Sequence, residues 1–357
     1  MIRRVLAWAQ RNERHLGAFV FLFGFITDVI ALVLLDVSFV LAASGTYLAL
    51  AALAVFLTHA LSGWRSEPSV RKRSIAVILP LVAQYLIGNL LSWFLIFYTK
   101  SAALEASWPF LLLFLLVFIG NEWFRKYKDR IAFIAVLLFF AAYAYAIFAI
   151  PLFLRTLGPW VFLASTACAL AIFGIYLMLL GRVAKLGRTL APIIASCLAI
   201  VALVIGAYFT GLVPPIPLAL KDSGVFHSLV REGDRYVVMA EEGREWWDPR
   251  PDTIQVAAGS PLYAFSAVQA PIRFGATVVH RWQRYDETSR EWVTQSRIAF
   301  PIAGGRTDGY RGYSEVSSVV PGEWRVRVET ENGQVIGQVR FTAIRSYAHP
   351  ALHEETH

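Results

Sequence analysis

Cysteine is almost missing from this chain: two in 357 residues, Cys168 and Cys197, both inside apolar runs. None follows Val213, so a disulfide framework is excluded and the C-terminal half must stand on its own core. A buried free thiol behaves as a small hydrophobe, and no reactive role is assigned to either. Charge is scarce as well, at 16% Asp, Glu, Lys and Arg against 57% hydrophobic residues. That balance is rare in a soluble protein of this length and common in a polytopic membrane protein. The catalytic and cofactor signatures are also absent: no HExxH, no CxxC, no GxSxG elbow, no phosphate-binding loop and no dinucleotide fingerprint. Gly304-Gly305 is a turn, because no helical pattern follows it. No cofactor or metal is expected, and a binding role is favoured over an enzyme.

The net charge of +8 invites a nucleic-acid reading, but its distribution refuses it. Up to Leu212 there are 17 Lys and Arg against 7 Asp and Glu, or +10; from Val213 onward there are 16 against 18, or −2. The excess belongs to the apolar half, where short basic loops orient helices, and no basic face for phosphates is visible.

What the sequence has in quantity is apolar length. A basic lead-in, 1–15, precedes seven runs at about 16–35, 39–61, 75–98, 107–123, 131–154, 159–180 and 190–212. Most reach the roughly 20 residues that cross ~30 Å of hydrocarbon. The fourth run, Trp108 to Trp123, is the short one and leaves a re-entrant segment open as its alternative. Pro109, Pro159 and Pro192 fall at expected helix starts, while Pro80 and Pro151 lie inside their helices. Lys and Arg in the segments before and between these runs count 4, 0, 4, 1, 4, 1 and 3. By the positive-inside bias the N-terminus is cytoplasmic and everything after Val213 is exported. The first run is read as a retained anchor, since no small-residue cleavage site follows it.

After Val213 the texture changes. Pro214, Pro215 and Pro217 make a stiff exit linker, 213–222. Short strand-like runs between turn signals then fill 223–346, and 347–357 reads as a flexible tail. The expected fold is a seven-helix transmembrane bundle followed by an all-β, sandwich-like domain of six to eight strands. Asn332-Gly333 predicts a two-residue type I′ hairpin. With Glu331 opposite Gln334, Trp324, Val326, Val328 and Thr330 share a face with Phe341, Val339, Gly337 and Val335. Arg325, Arg327 and Glu329 then share the other face with Arg340, Gln338 and Ile336. Phe274–Tyr285 and Trp292–Phe300 form a second predicted hairpin, and Leu262–Val268 a further strand.

Two places hold candidate chemistry. Asp28 is the one carboxylate deep in an apolar run. It is either the start of an ion path or a polar contact inside the bundle, with Gln84, Asn89 and Thr46 as possible partners. In the β half, His280, Trp282, Trp292, Arg306, Tyr310, Arg311 and Tyr313, with Asp308, form an aromatic and basic set able to stack on and hydrogen-bond a sugar, peptide or headgroup. The competing reading makes Trp282 and Trp292 core, His280 a satisfied core histidine, and Arg306 and Arg311 solvated loop charges. Trp246-Trp247 is read as touching the bilayer interface. The tail histidines His349, His353 and His357 are weak as a metal set.

At these residues the chain resembles a known family. His280-Arg281-Trp282, Gly305-Arg306, Gly309-Tyr310-Arg311-Gly312-Tyr313-Ser314, Pro321-Gly322-Glu323-Trp324-Arg325-Val326, Asn332-Gly333 and Arg340-Phe341 together look like the bacterial "domain of unknown function 2914". Pro214 to Lys221, with the apolar half before it, looks like the multi-span form of that group. The match covers about 65–80 residues. It implies a bacterial envelope protein with a small β domain, but no reaction and no catalytic residue. The expectation is an inner-membrane protein whose partners are the bilayer and an envelope glycan, a lipid or another membrane protein, and not nucleic acid. The alternative is an ion-coupled transporter or channel working through Asp28.

Overall fold

The computed structural model describes residues 26, 28, 37–62, 70–101, 103–123, 131–184, 186–233, 235–241, 252–257, 259–305, 308–347 and 350–357. The lead-in, most of the first apolar run, Trp246-Trp247, Arg306 and His349 lie outside them. Among the described residues the apolar runs form six long helices: α1 (Val37–Ser62), α2 (Val70–Lys100), α3 (Leu104–Trp123), α4 (Ile131–Leu154), α5 (Pro159–Val183) and α6 (Leu190–Phe209). Among the described residues, five stretches are long and apolar enough to cross a membrane: Phe39–Leu61, Ile78–Lys100, Ile131–Leu154, Pro159–Val183 and Gly187–Phe209. The apolar part of α3, Ala106–Ile119, is shorter, as its sequence foretold. Pro109 is a correction: α3 begins at Leu104, so this proline sits inside the helix and removes a backbone donor there. Pro159 opens α5, and Pro192 falls in the first turn of α6, as expected.

The chain divides into two compact units. One holds Met1–Tyr98, Leu111–Ala149 and Ser165–Leu203; the other holds Thr99–Phe110, Ile150–Ala164 and Val204–His357. The first is a helical bundle packed through aromatic rings. Phe114 lies 4.9 Å from the Tyr98 ring and 4.7 Å from Phe140. Half-buried tyrosines reach across to helix carbonyls: Tyr145 donates to Leu41 O (3.3 Å) and Tyr176 to Ala52 O (3.1 Å). Gly45 makes the first of these possible, since a Cβ there would lie 2.6 Å from the Tyr145 hydroxyl.

The second unit is β-rich, its described residues forming eleven strands in three sheets: β1 (Ala219–Phe226), β2 (Ser228–Glu232), β3 (Arg235–Glu241), β4 (Asp252–Val256), β5 (Leu262–Gln269), β6 (Gly275–Asp286), β7 (Glu291–Ala303), β8 (Tyr310–Val316), β9 (Gly322–Thr330), β10 (Val335–Arg345) and β11 (Leu352–Thr356). The five-stranded sheet runs β4-β10-β9-β6-β7, and the three-stranded sheets run β1-β5-β8 and β11-β3-β2. β5 shows why the middle sheet is apolar on both sides. Leu262, Ala264 and Val268 join cores shared with the five-stranded sheet, while Phe265 and Ala267 pack with Tyr236, Val238 and Ala240 of β3.

Three expectations change. The exit linker is partly strand, since β1 starts at Ala219. The tail is not free: β11 pairs antiparallel with β3, and His357 exchanges backbone hydrogen bonds with Tyr236 at 2.9 and 3.0 Å. The last hairpin is not type I′, which needs two positive φ angles. Only Gly333 has one (82°), and Thr330 N–H bonds to Gln334 O across a three-residue loop. The register slips between Val335 and Gly337, and then restores Val328↔Gly337, Val326↔Val339 and Trp324↔Phe341 as expected. The slip turns Ile336 off the polar face and into the core with Val328 and Leu218.

Candidate functional site

The sequence set does not converge on one cleft. His280 and Trp282 are fully buried. On β6 they point toward β5 and β8, where Ser266 and Ser314 meet them. The imidazole bonds Ser266 Oγ through Nε2 (2.7 Å) and Ser314 Oγ through Nδ1 (2.8 Å), and Trp282 Nε1–H donates to Ser314 Oγ (2.9 Å). This network ties two sheets together and is closed to solvent. Burial drives the His280 pKa down to about 3, so the ring is neutral, one nitrogen donating and the other accepting. Gly312 allows the close approach nearby, since a Cβ there would fall 2.1 Å from Phe300.

Tyr310 packs against a core cluster. Arg311 and Tyr313 take the opposite face of β8; Tyr313 is exposed, with its ring 6.1 Å from Tyr236. Trp292 lies on another sheet, beside Tyr285 at 5.3 Å. In the bundle, Asp28 accepts a hydrogen bond from Ser92 Oγ (2.7 Å). Asn89 and Thr46 instead bond carbonyls one turn back on their own helices, and Gln84 is half-buried.

The outer face of the five-stranded sheet holds what the sequence reading missed. Register places Arg281 directly opposite Arg297 on β7 and Arg327 on β9, with Gln338 of β10 next along. Two residues further along the strands, Arg325 faces Arg340. Five guanidiniums therefore occupy two adjacent rows across four strands, a span of about 14 Å at the ~4.8 Å strand spacing. Like charges directly opposite one another destabilise a sheet, so the arrangement is held at a cost to stability.

One carboxylate sits among them. Glu329 is 1% exposed; Arg281 Nη2 approaches it to 2.7 Å and Arg297 Nε to 3.9 Å. Burial raises its pKa, and Arg281, Arg297 and Arg327 pull it back. At 2.7 Å, Arg281 is the nearest cation to this carboxylate and forms a close ion pair with it. Arg281 Nε and Gln338 Nε2 are buried donors without an acceptor among the described residues. In the second row Arg325 is fixed: its Nε donates to Gln283 Oε1 (2.8 Å), and its guanidinium lies 4.3 Å from the Trp292 ring centroid. Of the 16 basic residues after Val213 only Lys221 is lysine. Arginine's planar fork suits carboxylate, phosphate or sulfate, which it can grip with two parallel bonds.

Residues 275–343 match the family described as "Protein of unknown function (DUF2914)". The matched stretch is C-terminal. It contains β6 to β9 and most of β10, hence the His280–Trp282–Ser314 network, all five arginines and Glu329. No curated protein matches the chain. Among solved structures, the Pseudomonas fluorescens alkylpurine DNA glycosylase AlkC, bound to DNA containing an abasic-site analogue, aligns at 12% identity. The alignment covers 86% of this chain and 97% of that one with a TM-score of 0.24, too low to carry any argument about fold or function.

Proposed function

We propose that this is a bacterial inner-membrane protein of seven spans whose exported, sandwich-like β domain binds an acidic glycan on its arginine face. The alternating loop charges support the orientation, with the N-terminus in the cytoplasm and the DUF2914 domain in the periplasm. The observation that carries the binding reading is the pair of arginine rows. Five cations spread over about 14 Å suit a repeating anion better than a single headgroup. Trp292 and Tyr285 beside them add the aromatic surface that sugar rings favour. Glu329 acts by holding Arg281 in place.

The full chain in detergent, titrated with polygalacturonate and with uncharged dextran, tests this. Polygalacturonate is expected to bind with salt-sensitive affinity, and dextran not at all. Arg327→Gln and Arg340→Gln are each expected to weaken binding about tenfold, roughly one charge-assisted contact apiece. Arg281 is avoided, because its loss would strand the buried Glu329. Equal binding of both polymers, or full affinity in the two variants, would overturn the proposal. Binding confined to anionic vesicles would instead replace the glycan with a lipid.

A further inference from the structure

We infer that a groove at the foot of the β unit holds the headgroup of an aminophospholipid. The groove, of about 330 Å³, lies between the Thr156-Leu157 turn and the ends of β6, β7 and β9, all within one unit. That volume is at the small end of ligand pockets and suits a headgroup rather than a whole lipid. Its polar lining is Thr156, Thr277, Thr330, Glu331 and Asn332; Leu157 and Ile302 supply apolar wall.

The turn is fixed in place. Gly275 N–H bonds Arg155 O (3.4 Å), and Leu157 packs into the β core. Arg155 itself takes a left-handed backbone (φ 56°), a conformation that surrounding contacts must hold. The same turn is flanked by large exposed apolar side chains: Phe153 is 70% exposed and Trp160 82%, with Phe209 at the end of α6 60% exposed. On helices that span a bilayer, such residues mark the interface with water, so the groove opens where headgroups lie.

The lining selects the headgroup. Its one charged side chain is the Glu331 carboxylate, accompanied by three hydroxyls and a carboxamide. A primary ammonium can donate three hydrogen bonds to such a set. A trimethylated choline donates none, and a glycerol headgroup brings no positive charge. In this reading the exposed Arg155, one residue before Thr156, meets the lipid phosphate.

The proposal rests on the helices lying in a bilayer, which co-flotation of the purified chain with vesicles tests separately. Native mass spectrometry of the full chain then measures retention of phosphatidylethanolamine, phosphatidylcholine and phosphatidylglycerol. Wild type is expected to retain phosphatidylethanolamine about tenfold over phosphatidylcholine, and Glu331→Gln to erase that preference. Glu331 is exposed, and its contact with Arg297 runs through its backbone carbonyl, so the variant keeps the hairpin. Thr277→Val, which removes a hydroxyl without touching a charge, is expected to reduce the preference partially. A chain that co-floats but shows no preference, prefers phosphatidylglycerol, or keeps its preference in Glu331→Gln overturns the groove proposal alone. A chain that does not co-float removes the membrane reading beneath it.

Discussion

Trp282→Ala is expected to destabilise the β unit by about 4 kcal/mol, in the range typical of large-to-small changes at fully buried aromatics. Trp282 has no exposed surface and packs with residues of the five-stranded sheet and of the β1-β5-β8 sheet, among them Leu262, Ala264, Val326 and Phe341. Its ring meets Phe341 edge-on at 6.3 Å. Strands on either side cannot close over the resulting hole without breaking register, so little of the cavity would collapse. Trp282→Phe separates the two contributions. It keeps most of the apolar volume and removes only the Nε1–H donor, and Ser314 still has His280 as a partner. About 1–2 kcal/mol is expected for that change. Chemical denaturation of the full chain in detergent, followed by near-ultraviolet circular dichroism, measures both. An alanine variant within 1 kcal/mol of wild type would show that the two sheets are held together elsewhere.

The same network shows what a sequence can and cannot reveal. Alternation alone put His280 and Trp282 on one face of β6, and a buried, satisfied histidine was one of the two readings it allowed. The partners Ser266 and Ser314 were out of reach, because they sit 14 and 34 residues away on strands whose pairing the sequence does not encode locally. The helices were legible because about 20 apolar residues in a row have few other uses. The final hairpin was legible in its faces but not in its loop: Asn332-Gly333 fits both a two-residue loop and a three-residue loop with a compensating bulge. Strand β11 escaped notice because Leu352–Thr356 is held largely by backbone pairing to β3, and its side chains are mostly exposed. The arginine rows were half visible. Arg325, Arg327 and Arg340 were placed together from the hairpin, but Arg281 and Arg297 join them only through the pairing of β6 with β9. Arginines at alternate positions on several strands, with lysine nearly absent, were the available signal.

Acid should unfold the β unit through His280. Its folded-state pKa is depressed to about 3 by burial, against an ordinary value near 6.5. Below 6.5 the unfolded chain takes up a proton that the folded ring refuses, so stability is full above about pH 6.5 and falls as the pH drops toward 3. The linkage predicts a loss of about 3 kcal/mol between pH 7 and pH 4. Protonation inside the fold is not free, even though both serine oxygens could accept from an imidazolium. The surroundings are apolar, with Phe300 edge-on at 4.9 Å, and two neutral hydroxyls do not replace the hydration of a cation. Glu329 works in the opposite direction: an acid whose pKa is raised by burial gains relative stability as pH falls. The two are separated by comparing the pH dependence of unfolding in wild type with that in His280→Gln, whose amide still spans toward both serines. The variant should lose the slope between pH 6.5 and pH 4 while Glu329 keeps its own contribution. An unchanged slope would mean that His280 accepts its proton in place and that the network tolerates the charge.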